Sequence, residues 1–378
     1  MRVLLASPYF SPHVGGVENY VLAIANGLRK KKFEVTILTT GENAKKIEKD
    51  TVADFTVYRL PLQFKFSNTP VNFDWQSQME SVIAQVSPDV VNAHTPVPYF
   101  ADMVVRASNH LHIPVIVTYH NDLIKENVVL KFISTLYYNL LGTQTLSLAD
   151  AIITTSHAYA RKSTHLNELQ NKVHIVPPGV ANIQLVTVKD RYVSPYILFV
   201  GKLEKTHRHK GLKYLIDSFA KVKENFPNLR LKIVGQGDDL ESYRKQASNL
   251  NLDASIDFLT GIKDEDLPAI YAGAICLCLP SISEAEGFGM VVLEAAQQQT
   301  PAIGSNIGGI PQSIQDKVTG FLCRPKDVTT LAKLISRFLE NPLLQSEMGI
   351  AAQIRVQNEF LWDQQATKTA LVFRKVQR

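Results

Sequence analysis

Short apolar runs rich in β-branched residues recur along the chain, with amphipathic stretches between them. In the first half they are RVLLAS (2–7), EVTILTT (34–40), DVVNAH (89–94), VIVTYH (115–120), DAIITTS (150–156) and KVHIVPPG (172–179). Runs of this kind predict strands buried on both faces, and strands separated by helices predict a parallel sheet built from βαβ units. The rhythm restarts after Pro195 with YILFVG (196–201), LRLKIVG (229–235), SIDFLTG (255–261), AICLCLP (274–280), PAIGS (301–305) and GFLCRP (320–325). An α/β protein with two doubly wound domains is therefore expected.

Between the two sets, the segment from Pro177–Pro178–Gly179 to about Ser194 lacks apolar periodicity and reads as a linker. The expected domains are 1–185 and 186–357, with a C-terminal helix at about 358–378, carrying Trp362, that crosses back to the first domain. A break is expected at Asn341–Pro342 in the helical stretch before it. In paired sheets of this type a nucleotide is expected in the cleft between them, beyond the carboxyl ends of the strands.

Composition narrows the classes. The chain has 378 residues, 45% hydrophobic and 20% charged, which excludes disordered and fibrous proteins. Its 40 Lys+Arg against 35 Asp+Glu give a formal charge of +5. The densest basic run, Arg29–Lys32, falls where a first helix should end; it suits the negative end of the helix dipole or, alternatively, an anionic lipid or substrate. Nucleic acid is not an expected partner, since basic residues are not interleaved with aromatics over any long stretch. Cys276, Cys278 and Cys323 read as buried thiols in a reducing compartment, and no metal site is expected. No apolar run approaches the roughly 18–20 residues of a membrane span, so a cytoplasmic protein is expected.

Several loops at strand ends carry polar chemistry. After the first strand, Gly15–Gly16 ends a Pro-rich loop, and Val17, Val21, Ile24 and Leu28 mark one face of a helix. Glycines there let backbone N–H groups approach a phosphate, though a plain turn explains them equally. His120 ends VIVTYH and is followed by Asn121 and Asp122; His94 ends DVVNAH. Each histidine reads either as a structural hydrogen-bonding group or as a ligand contact. In VGKLEKTHRHKG, Lys202 and Lys210 stand where a βα loop can clamp a diphosphate, with solvated lysines as the alternative. VGQGDD (234–239) is a glycine turn containing Gly235 without a full GxGxxG, so it does not support dinucleotide binding.

The most specific feature is EAEGFGMVVLEA, in which Glu286 and Glu294 bracket seven residues and Gly287 and Gly289 follow the first. The glycines allow close approach to phosphate and sugar, and MVVLEAA can begin a helix whose N-terminus faces the anion. If the spacing were helical, about two turns would put both carboxylates on one side. Carboxylates accept hydrogen bonds from sugar and ribose hydroxyls.

These motifs resemble, along essentially the whole chain, the retaining family 4 glycosyltransferases. The resemblance lies in GGVE (15–18), VTYH (117–120), VGKL followed by KG (200–203, 210–211), EGFGMVVLE (286–294) and NIGGIPQ (306–312), in that order. It implies a GT-B fold, two Rossmann-like domains facing across a cleft, and metal-independent transfer of a hexose-type sugar from a UDP- or GDP-sugar to a hydroxyl, with retained anomeric configuration. It implies no cofactor, a sugar or lipid-linked acceptor bound by the N-terminal domain, and a role in glycolipid, lipopolysaccharide or exopolysaccharide assembly.

By resemblance, Glu294 binds the ribose and Glu286 the donor sugar, while Lys202 and Lys210 hold the diphosphate. The backbone of Phe288, Gly289, Met290 and Val291 lies on sugar and phosphate, beside Gly287. Gly15 and Gly16 close over the phosphates, His120 faces the anomeric carbon, and Gly261 and Ile262 receive the base. Gly235 joins the donor-binding positions, and His120, Glu286, Lys202 and Lys210 form the catalytic set. The departures are Lys202, where the family usually has Arg, Gln312, where an acidic residue is common, and the long EKTHRH stretch. An amphipathic segment, 125–150 with Lys125 and Lys131, reads either as domain packing or as a peripheral contact with membrane lipid. A GT-B sugar-nucleotide epimerase and a non-catalytic sugar-nucleotide-binding subunit are the competing functions.

Overall fold

The computed structural model describes residues 1–13, 15–66, 69–120, 135–188 and 191–377. Asn121, Asp122, Lys125 and Lys131, singled out above, lie outside them. The chain divides into two compact units, Met1–Gly179 with Trp362–Arg378, and Val180–Leu361.

The first unit is built on an eight-stranded sheet. In chain order the strands are β1 (Arg2–Ala6), β2 (Glu34–Gly41), β3 (Glu48–Val52), β4 (Phe55–Pro61), then a separate hairpin of β5 (Phe64–Phe66) and β6 (Thr69–Val71), then β7 (Val90–His94), β8 (Val115–Tyr119), β9 (Ala151–Thr154) and β10 (Val173–Ile175). The sheet runs β10-β9-β8-β7-β1-β2-β4-β3. All neighbours are parallel except β3, which runs antiparallel to β4 with Glu48 opposite Arg59.

Every side chain of β1 beyond Arg2 is buried, because apolar layers cover both faces of the sheet. One layer is made by Trp75, Met79, Phe100 and Val104, the other by Val21, Ile24 and Leu28 of the helix Gly16–Lys30 together with Ala366, Ala370 and Phe373. These last three come from the helix Trp362–Val376, which packs on Gly16–Lys30. Gly27 makes the approach possible, since a Cβ there would overlap the Cβ of Ala366. Arg29 and Lys30 occupy the last turn of Gly16–Lys30, where cations suit the dipole.

The second unit has six parallel strands, β11 (Tyr196–Val200), β12 (Arg230–Val234), β13 (Ile256–Leu259), β14 (Cys276–Leu279), β15 (Ala302–Ser305) and β16 (Gly320–Cys323), in the order β13-β12-β11-β14-β15-β16. Cys276 and Cys278 are buried free thiols whose sulfurs lie 3.9 Å apart on one face of β14.

This unit begins at Val180, several residues before the expected 186, for a hydrogen-bonding reason. The backbone N–H groups of Ile183 and Val186 donate to Oε1 of Gln297 and Gln298 (2.9 Å each), which binds the extended segment to the second unit. The helical stretch breaks as expected, into Val328–Glu340 and Pro342–Glu359, with the Asn341 side chain capping the second helix through Leu344 N.

In both sheets the order reverses at one place, between β1 and β7 and between β11 and β14. Loops at the carboxyl ends of such strands diverge to opposite faces and leave room for a ligand. In the second unit those loops are 201–211 and 280–289, the stretches that carry the lysines and the first glutamate of the Glu-x7-Glu motif.

Both tryptophans, Trp75 and Trp362, belong to the first unit, so intrinsic fluorescence reports its unfolding. Replacing Gly27 by Val is expected to cost about 1–3 kcal/mol through overpacking against Ala366. A urea transition of this variant that coincides with the wild type would contradict the close helix packing.

Candidate functional site

In the second unit, β11 ends at Val200 and the chain turns through Gly201 and Lys202 into a 3₁₀ turn at Lys205–Lys210. The EKTHRH stretch is this turn, stapled to the 234–239 glycine turn. Arg208 grips Asp239 in a bidentate pair (Nε to Oδ2 2.6 Å, Nη2 to Oδ1 2.5 Å), and Lys205 N donates to Asp238 (2.9 Å). The guanidinium's hydrogen bonds hold the Asp239 carboxyl below its usual range, and the carboxylate holds Arg208 up. Gly235, at the foot of that turn, lies against the Gly201 carbonyl.

The loop after β14 is tied to this turn where Ile282 N donates to the His209 carbonyl (2.7 Å). That contact brings Lys210 to Glu286: its ammonium donates to Oε2 at 2.9 Å, and Ser281 Oγ donates to the same oxygen at 3.1 Å. The side chains are only 18% and 8% exposed. A largely buried carboxylate stays ionised at acceptable cost only with such partners. Lys202 is different, 67% exposed with Glu204 at 4.0 Å.

Behind Glu286 the NIGGIPQ turn buttresses the loop, as Gly309 N donates to the Glu286 carbonyl (3.1 Å) and Gly308 N to Glu284 Oε2 (2.9 Å). Phe288 is buried against Phe360 with ring centroids 5.8 Å apart, so this residue offers its backbone rather than its ring. A Cβ on Gly287 would meet open space. Gly289 caps the helix Met290–Gln297 in the left-handed region (φ 78°), where a side chain would also press on Leu279. Met290 and Val291 open that helix, both packed on apolar neighbours.

Glu286 therefore lies in the loop before the helix, and the expectation of two helical turns between the carboxylates fails. Glu294 alone is helical. It accepts a hydrogen bond from Tyr271 (2.6 Å), and burial pushes its carboxyl above the usual range, with Asp264 adding to the rise and the Tyr271 hydroxyl opposing it. Gly261 and Ile262 follow β13; Gly261 has φ 68° with nothing within 4 Å of a Cβ, and Ile262 is half-buried against the same apolar cluster as Val291.

In the first unit, Gly15 is the N-cap of Gly16–Lys30 and Gly16 its first residue. The carboxylate of Glu18 folds back over Gly15 and pairs with His13 (3.0 Å). His120 meets His94 rather than standing alone, with His94 Nδ1 and His120 Nε2 3.1 Å apart and the rings near-parallel at 5.4 Å. Tyr20 sets its ring edge-on to both. Burial pulls the His120 pKa down to about 4, and burial with His120 beside it drives His94 well below its ordinary value. The pair is thus neutral.

A cavity of about 530 Å³ opens beyond β1, β2 and β4, lined by Tyr9, His13, Asn43, Glu48, Asp50 and Arg59. Tyr9 and His13 stack at 4.7 Å, and Arg59 is fixed by Asp50 (3.2 Å) and the Ser11 carbonyl (2.8 Å). Of the 125–150 segment, the described part is mixed: Tyr138 and Leu146 are buried, whereas Leu136 and Leu140 are exposed. Among the described residues no helix is long and apolar enough to cross a membrane, and no cluster of His, Cys, Asp or Glu is arranged to hold a metal ion.

Sequence reasoning missed Ser281, Tyr271, the Arg208–Asp239 pair and the acidic and aromatic lining of the cavity. Ser281 directly follows the apolar run AICLCLP, a polar residue at a strand end like His94 and His120; Tyr271 lies 23 residues from its partner with no periodicity to link them.

The family model described as Glycosyltransferase Family 4 matches residues 14–181, and that described as Glycosyl transferases group 1 matches 191–355. One match covers most of each unit, and the protein is a glycosyltransferase of the GT-B fold, with two Rossmann-like domains. It is 27% identical to D-rhamnosyltransferase WbpZ of Pseudomonas aeruginosa, over 95% of this chain and 92% of that protein. It is 25% identical to O-antigen chain mannosyltransferase C of Escherichia coli, over 96% and 95%. Among solved structures, Anabaena HepE in complex with UDP has the same fold, with a TM-score of 0.77, 18% identity, and 99% and 100% of the two chains covered.

The His94–His120 pair generates a pH prediction. Unfolded, His120 takes up a proton near pH 6.5; folded, it does so only near 4. Stability is therefore fully present above about pH 6.5 and falls as pH drops toward 4, by about 3 kcal/mol for this group. Fluorescence-detected urea unfolding at pH 7 and 4.5 is expected to show a smaller acid loss in His120→Asn than in the wild type. Equal losses would mean the pair is not buried neutral.

Proposed function

We propose that this glycosyltransferase moves a hexose-type sugar from a UDP- or GDP-sugar to a hydroxyl acceptor with retention of anomeric configuration, without a metal ion, as the family 4 resemblance implies. The observation that carries the reading is the Lys210–Glu286–Ser281 cluster at the strand-order reversal of the second unit, next to a glycine-capped helix start. A pyrophosphate suits this end of the sheet, where an ammonium group and backbone N–H groups are available to an anion. Glu286 and Glu294 supply acceptors for donor-sugar and ribose hydroxyls. HepE, whose structure was solved with UDP, supports a nucleotide diphosphate, and the names of the rhamnosyl- and mannosyltransferase relatives support a hexose.

In the proposed reaction the acceptor oxygen bonds to the anomeric carbon on the face from which the diphosphate departs. The bond from anomeric carbon to phosphate oxygen breaks, and the leaving phosphate takes the acceptor's proton. Lys210 carries the charge that grows on that phosphate, aided by Lys202, whose exposed ammonium is free to turn toward it. Donor binding exchanges the Lys210–Glu286 contact for ligand contacts to both groups. The roles of Gly15, Gly16, His120, Gly235, Gly261 and Ile262 rest on the family resemblance.

The cavity in the first unit is proposed for the acceptor. Its stacked Tyr9 and His13 rings suit the apolar face of a sugar, and Asn43, Glu48, Asp50 and Arg59 suit hydroxyls. The names of the relatives favour glycolipid or O-antigen assembly, and hence a cytoplasmic enzyme working at the membrane's inner face.

Incubation with UDP-, GDP- and ADP-sugars, with nucleotide release as the readout, is expected to single out one donor and to accelerate when an acceptor is added. Lys210→Ala is expected to lower kcat/KM at least about tenfold, the cost of losing a charged contact to the leaving group. A change within about twofold would remove Lys210 from the diphosphate site.

A further inference from the structure

The β5–β6 hairpin separates its side chains by polarity. Phe64 and Phe66 alternate with Lys65, so a strand turns the two rings one way and the ammonium the other. Lys65 ties the hairpin down, pairing with the Glu42 carboxylate and lying 5.6 Å from the centre of the Tyr9 ring. The rings stay in solvent, Phe64 46% and Phe66 57% exposed, joined by Phe73 at 71% with its ring 6.1 Å from that of Phe64. Three exposed aromatic rings on one short stretch need an explanation, since single exposed apolar residues are ordinary but clusters mark contact surfaces.

The neighbouring loop after β2, which Lys65 contacts through Glu42, carries exposed Lys45 and Lys46, and β3 adds exposed Lys49. Glu42 is taken by Lys65 and Asp50 by Arg59, which leaves the ammonium groups of Lys45, Lys46 and Lys49, the last 5.9 Å from the centre of the Tyr58 ring, with Glu48 as the remaining acidic residue of 42–50. Cores of protein interfaces are depleted of lysine, whereas aromatic rings flanked by lysines are what a bilayer interface selects.

We infer that Phe64, Phe66 and Phe73, with Lys45, Lys46 and Lys49 of the loop and strand to which Lys65 ties the hairpin, form a docking surface for an anionic lipid bilayer. The surface adjoins the 530 Å³ cavity, because Tyr9 and Glu42 both line the cavity and meet Lys65. Docking there brings the cavity mouth to headgroup level, where the hydroxyl of a lipid-linked acceptor lies. The inference deepens the proposed acceptor class, but its test does not depend on transfer.

The full chain is sedimented with vesicles of phosphatidylcholine alone and of phosphatidylcholine with phosphatidylglycerol. Stronger binding to the anionic vesicles is expected, and Phe64→Ser/Phe66→Ser/Phe73→Ser is expected to lower the partition coefficient at least about tenfold. Lys45→Glu/Lys46→Glu, a milder surface change, is expected to lower binding only where phosphatidylglycerol is present. It stands in for the triple variant if that variant loses native tryptophan fluorescence. Nucleotide release from the sugar donor without acceptor should be unchanged in both variants. Failure of the wild type to sediment with either vesicle overturns the inference, as does equal sedimentation of folded variants and wild type, or a self-association that the serine variant abolishes. Vesicle binding with no nucleotide release from any donor would leave this surface standing and sink the proposed function instead.

Discussion

Lys210 and Glu286 sit 2.9 Å apart, 76 residues apart in sequence, at the one place where the second sheet reverses its strand order. Neither charge tolerates burial alone: an unpaired carboxylate enclosed as Glu286 is would cost several kcal/mol of desolvation. The pairing is a constraint on two loops at once. It requires the 3₁₀ turn after β11 and the loop after β14 to meet, which Ile282 and His209 accomplish through their backbones. It also requires a backbone at 286–289 rigid enough to aim the carboxylate, which the NIGGIPQ turn and the buried Phe288 ring provide. In the proposed reaction a diphosphate sugar would satisfy both charges in place of each other, its phosphate taking the ammonium and its hydroxyls the carboxylate.

The two units apply one scheme to different ends. Each has a sheet of parallel strands, but for the edge strand β3 in the first, and in each the strand order turns back beside the sheet's first strand. Each also sets a glycine at the N-terminus of a helix, Gly15 in the first and Gly289 in the second. In the second unit the polar groups near the reversal are charged and paired. In the first they are imidazoles kept neutral by burial, and the unit also holds a cavity lined by stacked rings and a fixed guanidinium. On the proposed function, the same architecture would serve an anion in one unit and a sugar in the other.

Much of the fold was legible in the sequence, because a strand buried on both faces must be apolar throughout and the helices around it must be amphipathic. Every expected apolar run became a strand. The strands missed were those that break this rule: β3 is EKDTV, an exposed antiparallel edge with no apolar run, β4 mixes buried positions with Thr56 and Arg59, and β5 and β6 are three-residue strands of a separate hairpin. The Glu-x7-Glu segment was legible as chemistry but not as geometry, since periodicity cannot tell that the helix starts only after Gly289, three residues past Glu286. Contacts such as Tyr271 to Glu294, or Arg208 to Asp239, arise only when distant loops close, and nothing in local spacing announces them.

The most direct test of this account is a crystal structure of the protein with its sugar nucleotide bound. The account predicts the diphosphate against Lys210 and the Gly289-capped helix start, with Lys202 swung in, Glu286 on the sugar hydroxyls and Glu294 on the ribose. A nucleotide bound elsewhere, with the Lys210–Glu286 pair intact and Glu294 still held only by Tyr271, would contradict it.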